Sequence, residues 1–161
     1  MRASPRRLAL AAVLAIAVAS SDGSVALGAE PVWFVRDDAA GPGARWGIPQ
    51  TDAVGLEVTC RGGRVIVRPA LFAMEEPAQP PDVRFTVDGE DFVRDASLAF
   101  VERDAAWQAA AEVEPDDPLV DAMRRGSQLT YDFAPPLREG DAFTISLSGS
   151  AKAIDAVLSS C

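Results

Sequence analysis

The sequence predicts a mainly β protein, a single antiparallel β-sandwich-like domain with two short helices, one near residues 116–125 and one at 150–160. Three observations point there. Apolar residues alternate with polar ones in several short runs, the signature of half-buried strands. Tight-turn signals such as "RGG" and "DG" separate those runs. Apolar residues make up 48% of the chain, enough for a packed core in one domain.

The clearest element is the hairpin "GLEVTCRGGRVIVRP". Leu56, Val58 and Cys60 alternate with Glu57 and Thr59, and Val65 and Val67 alternate with Arg64, Ile66 and Arg68. Cys60 thereby falls on the inward face. The prolines and acids of "EEPAQPPD" make residues 75–82 an exposed, extended loop. "DVRFTVDGEDFVRD" predicts a second hairpin turning at Asp88-Gly89, and "SLAFVE" a further strand through Leu98 and Phe100. "AAWQAAAEVEP" suits a strand through Trp107, Ala109, Ala111 and Val113, although its alanines would also tolerate a helix.

"DDPLVDAMRRG" carries the punctuation of a short helix. Asp116 serves as cap, Pro118 suits the first turn, Arg124 and Arg125 complement the carboxyl-end dipole, and Gly126 stops it. "QLTYDF" and "DAFTISLSG" read as two more strands around a turn at "APPLREG". In the final segment Ala151, Ile154, Leu158 and Cys161 are spaced to form one helical stripe.

Residues 1–29 read as a signal peptide. "MRASPRRLA" is the positive region, "LALAAVLAIAVA" the apolar core, and small residues follow, with cleavage compatible after Ala19, Ala26 or Ala29. The apolar run falls short of the roughly 20 residues a spanning helix needs, and no later stretch is apolar enough for one. Arg6-Arg7 leaves the general and twin-arginine export routes both open. The expected location is therefore periplasmic or secreted, with residues 30–161 as the domain. There the two cysteines, Cys60 and Cys161, are expected to form a disulfide between a strand and the last helix.

Charge and composition narrow the partners. The formal charge is -9, and loss of Arg2, Arg6 and Arg7 with the leader makes the domain more acidic still. Such a polyanion repels phosphate backbones, so nucleic acid is not expected as a partner. Histidine is absent, which removes the commonest general base and transition-metal ligand.

The segment "DPLVDAMRRGSQLTYDF" followed by "FTISLSGSAKAIDAVLSSC", with "WGIPQTDAVGLEVTC" upstream, resembles the invasion-associated locus B-like proteins, small exported proteins of alphaproteobacteria. Shared features are a "G-x-x-L" strand and an "L-x-G" leading into an alanine-bearing helix. The resemblance implies a periplasmic β-sandwich-like module and brings no enzymatic residue with it.

The residues themselves offer little chemistry. Lys152 is the sole lysine, and "SLSGSAK" lacks the strand–turn–helix setting of a nucleophile elbow. Acidic pairs such as Glu75-Glu76 and Asp116-Asp117 sit in turns or at a helix start, where solvation or capping explains them. "DGED" departs from calcium-loop spacing and fits a hairpin. No cofactor or metal is implied.

One stretch stands out as a possible recognition loop: Arg45, Trp46, Pro49, Thr51 and Asp52 in "ARWGIPQTDA". Its plainer reading is that Trp46 packs in the core while Thr51-Asp52 shape a turn. The leading expectation is a non-enzymatic periplasmic binding protein for a protein or envelope component. The alternatives are an inhibitor of a cell-wall glycosidase such as lysozyme, and a hydrolase using carboxylates alone.

Overall fold

The computed structural model describes residues 28–161 apart from 40, 80, 138, 139 and 141, with the side chain of residue 38 also left aside. The segment read as a signal peptide thus lies almost wholly outside the described residues. Ten strands and two helices follow: β1 (Val32–Asp38), β2 (Gly41–Gly47), β3 (Val54–Arg61), β4 (Arg64–Pro69), β5 (Phe72–Ala73), β6 (Asp82–Val87), β7 (Glu90–Val101), β8 (Ala106–Val113), α1 (Pro118–Arg125), β9 (Gln128–Ala134), β10 (Phe143–Ser146) and α2 (Ser150–Leu158).

All strand pairings are antiparallel, in the order β1-β2-β3-β4-β8-β7-β6-β9-β10, with β5 beside β8. The long β7 belongs to both halves of this sheet. Its residues 90–95 pair with β6 and its residues 96–101 pair with β8. "SLAFVE" is accordingly not a separate strand but the continuation of "DFVRD", since nothing between them forms a turn.

The sheet folds back on itself, so that β9 and β10 lie over β2 and β3. Tyr131 on β9 donates its hydroxyl to the Gly55 carbonyl on β3 at 2.6 Å. Trp46 on β2 meets Phe143 on β10 edge to face, with ring centroids 6.1 Å apart. Trp33 on β1 donates its indole N–H to the Ser146 carbonyl at 2.8 Å, bringing the two ends of the strand order together. Between the layers lie Leu56, Val58, Val65, Val67, Phe85 and Tyr131, all fully buried. The helices close one side, α2 against β1–β3 and α1 against α2.

Local chemistry explains the turns. Gly62-Gly63 and Asp88-Gly89 all take positive φ, as two-residue hairpin loops require. Asp88 tolerates this strained conformation while its carboxylate accepts the N–H groups of Ser127 and Gln128. Asp117, rather than the expected Asp116, caps α1, accepting from Leu119 N at 2.8 Å and from Nε and Nη2 of Arg94. Burial works to raise the Asp117 carboxyl pKa, but these hydrogen bonds and the Arg94 charge outweigh it and hold it below the usual carboxylate range. Gly126 does end α1, though in an extended conformation; a Cβ there would strike Val87 Cγ1 at 2.5 Å.

Further expectations need correction. Residues 41–47, "GPGARWG", form a strand despite glycine and proline, because β1 and β3 pair with them on both sides. Arg45 and Trp46 therefore sit in a strand, and only Pro49, Thr51 and Asp52 remain in a loop. In α2 the buried stripe is Ser150, Ala153, Ile154 and Val157, whereas Ala151 is exposed. Ser150 disguised that face in the sequence: it is buried because its hydroxyl donates to the Met123 carbonyl at 2.7 Å. Cys161 lies past the helix at an exposed position, yet it is bonded to Cys60, with Cα atoms 5.3 Å apart and 101 residues between them in sequence.

Candidate functional site

Alternation along β2, β3 and β4 sends every second side chain away from the core. On that outer face the register places Phe34, Arg45, Glu57 and Arg68 opposite one another on four successive strands. Glu57 is clamped from both sides. Its Oε1 accepts from Arg45 Nε at 2.7 Å and its Oε2 accepts from Arg68 at 2.6 Å. A second cross-strand row holds Arg36, Gly43, Thr59, Ile66 and Glu112, and a third pairs Arg61 with Arg64.

These rows form the floor and one flank of an open trough of about 1530 Å³. The small side chains Ser97, Ala99 and Ala110 on β7 and β8 keep its other side low. At one rim the β2–β3 turn faces the β7–β8 turn, with Arg103 3.8 Å from Asp52 and hydrogen-bonded to its neighbour Asp104. Five arginines (Arg36, Arg45, Arg61, Arg68 and Arg103) and four acids line the trough, in a chain whose Asp and Glu outnumber Lys and Arg by 24 to 15. Arg36 and Arg61 are exposed and have no ion-pair partner among the described residues. Elsewhere among the described residues the arginines are engaged, such as Arg94 with Asp117 and Arg124 with Asp155.

The residues singled out as a recognition loop divide between the two faces. Arg45, Pro49, Thr51 and Asp52 line the trough. Trp46 points the other way, packing on Phe143 and against Gly55, where a Cβ would meet its ring at 2.7 Å. Thr51 shapes the turn by donating to the Ile48 carbonyl and accepting from Ala53 N. Sequence reasoning passed over Arg36, Glu57, Arg61 and Arg68. The available signal was charge at outward positions of neighbouring strands, meaningful only once the pairing of those strands is known.

Catalytic arrangements are sparse. Both Glu57 oxygens are occupied by guanidinium groups. Lys152 lies exposed on α2. Among the described residues no group of three or more Cys, Asp or Glu is placed to hold a metal ion, and no helix is long and apolar enough to cross a membrane.

Comparison with known proteins bears on the fold. No curated protein matches the chain. The crystal structure of invasion associated protein b from Bartonella henselae is similar to it, with a TM-score of 0.50 and 18% identity over 81% of this chain and 94% of that one. The family model described as invasion associated locus B (IalB) protein matches residues 72–158, from β5 to the end of α2 and more than half of the chain. The strand order, the two helices and this match agree with the sequence resemblance: the chain belongs to the invasion associated locus B (IalB) family.

Proposed function

We propose that this protein is exported through its N-terminal leader and acts outside the cytosol as a non-enzymatic binding module, taking its partner in the trough. The observation that carries this is the charge placement: a −9 chain sets Arg36 and Arg61, without ion-pair partners among the described residues, beside the Arg45–Glu57–Arg68 row along one open concavity. Exposed guanidinium groups held on a rigid sheet are suited to recognition of carboxylate or phosphate groups. The lack of histidine and the engagement of Glu57 by two arginines favour binding over catalysis. The disulfide suits an oxidising compartment. A glycosidase inhibitor would need a loop that projects into a cleft, and the compact β2–β3 turn held by Thr51 is poorly suited to that.

Two measurements test this reading. Periplasmic material should have the mass of a chain shortened by its leader and lacking free thiols; a full-length, cytosolic product would count against export. Immobilised protein should retain an envelope component that the Arg36→Ala/Arg61→Ala double variant does not. Equal retention by both, or none by either, would overturn the assignment to the trough.

A further inference from the structure

We infer that the trough binds an acidic oligosaccharide whose negative groups are sugar carboxylates. This rests on the binding reading above and names the chemistry of the partner. The first argument is charge. The rows carrying Arg68, Arg36 and Arg61 follow one another at two-residue steps along the strands, about 7 Å per step. Arg36 and Arg61 are each exposed and free of protein ion pairs among the described residues. A chain bearing one monoanion per unit meets such single, spaced guanidinium groups without crowding charge against Glu57.

The second argument is shape. The trough, at about 1530 Å³ and open to solvent, exceeds the roughly 300–1,000 Å³ of a typical small-molecule pocket. It suits a polymer segment lying along the face. The third argument distinguishes a glycan from an acidic peptide. The floor of the trough is a sheet face, and the main-chain groups of β2 and β3 there are spent in ladders on both sides. An extended peptide gains most of its affinity from main-chain pairing at a sheet edge; the outer edge of β1 is open among the described residues, but a peptide added there would lie three strands, about 14 Å, from β3 and Arg61. A saccharide needs no such ladder. Its hydroxyls can donate to Glu112 and Asp104 and pair with Gln108, and its apolar ring faces can cover Phe34 and Phe72.

The test is calorimetric titration of the disulfide-bonded domain, residues 30–161, with hexamers of galacturonate and of mannuronate. Their fully methyl-esterified forms and hexaglutamate serve as controls. At least one free-acid hexamer should bind saturably, with its ester and hexaglutamate each at least roughly tenfold weaker. Arg36→Ala/Arg61→Ala should lower that affinity by roughly tenfold or more and flatten its salt dependence, with an unchanged thermal melt. Equal binding of acid and ester, hexaglutamate binding as tightly as the glycans, or binding by neither free-acid hexamer would each overturn the inference. If neither hexamer binds but an envelope component is still retained by the wild type and not by the double variant, the trough remains the binding site and only the glycan assignment falls.

Discussion

The two faces of the β3–β4 hairpin share a backbone and differ in almost everything else. Inward, Leu56, Val58, Val65 and Val67 are fully buried. Outward, Glu57, Ile66 and Arg68 line the trough, and the side chains of Glu57 and Arg68 remain 16% and 36% exposed. Burying each large aliphatic side chain contributes roughly 1.5–3 kcal/mol, whereas the Arg45–Glu57 pair, 15% and 16% exposed, gains little net because desolvating its charges offsets most of their attraction. The inner face is thus constrained by folding. The outer face is inexpensive to change, which leaves its composition open to selection for recognition.

Substitutions can sharpen or break that contrast. Leu56→Ala should cost about 2–5 kcal/mol by urea denaturation, because it leaves a cavity between the layers; a loss below about 1 kcal/mol would mean that the layers do not pack as described. Cys161→Ser should cost about 2–4 kcal/mol, since a loop of this length is worth at most roughly 4–5 kcal/mol in the chain-entropy model. A melt matching the wild type would remove the bridge from the account of stability.

Tyr131→Phe should cost about 1–2 kcal/mol, leaving the Gly55 carbonyl without its cross-layer donor. Its pH dependence gives a second reading. Burial pushes the Tyr131 phenol well above its ordinary range. Above about pH 10 the unfolded chain loses this proton while the folded chain keeps it, so the folded state binds more protons and stability falls as pH rises. As the chain has one tyrosine, Tyr131→Phe should flatten that alkaline slope, and an equally steep loss in the variant would assign it elsewhere. Glu57→Gln, one residue from Leu56, should cost about 0.5–1.5 kcal/mol, since the amide keeps an acceptor for one arginine while the other loses its hydrogen bond. A cost near that of Leu56→Ala would show the outer row to be structural and abolish the contrast.

The hairpins at Gly62-Gly63 and Asp88-Gly89 were legible because their determinants lie within a few residues: alternating apolar positions and turn residues that accept positive φ. Helix α1 was legible for the same reason, although its cap shifted from Asp116 to Asp117 once Arg94, 23 residues away, took part. β2 was hidden because its glycines and proline argue locally for a loop, while its stability comes from neighbours on both sides. The buried face of α2 was misread because a serine satisfied by a distant carbonyl is indistinguishable in sequence from a solvated one.

By itself, the sequence determined which side chains share a face in the strands it announced, such as β3, β4 and β6, where the tight turns fall, and that its two cysteines were the natural pair, since each follows from local periodicity or from simple number. Only the tertiary structure decided that β7 serves both halves of the sheet, that Trp46 turns inward while Arg45 turns out, and that Arg36, Glu57, Arg61 and Arg68 share one trough. Those outcomes depend on register between strands far apart in the chain. Register is set by the packing of the whole core, because a slip of one residue would exchange the two faces.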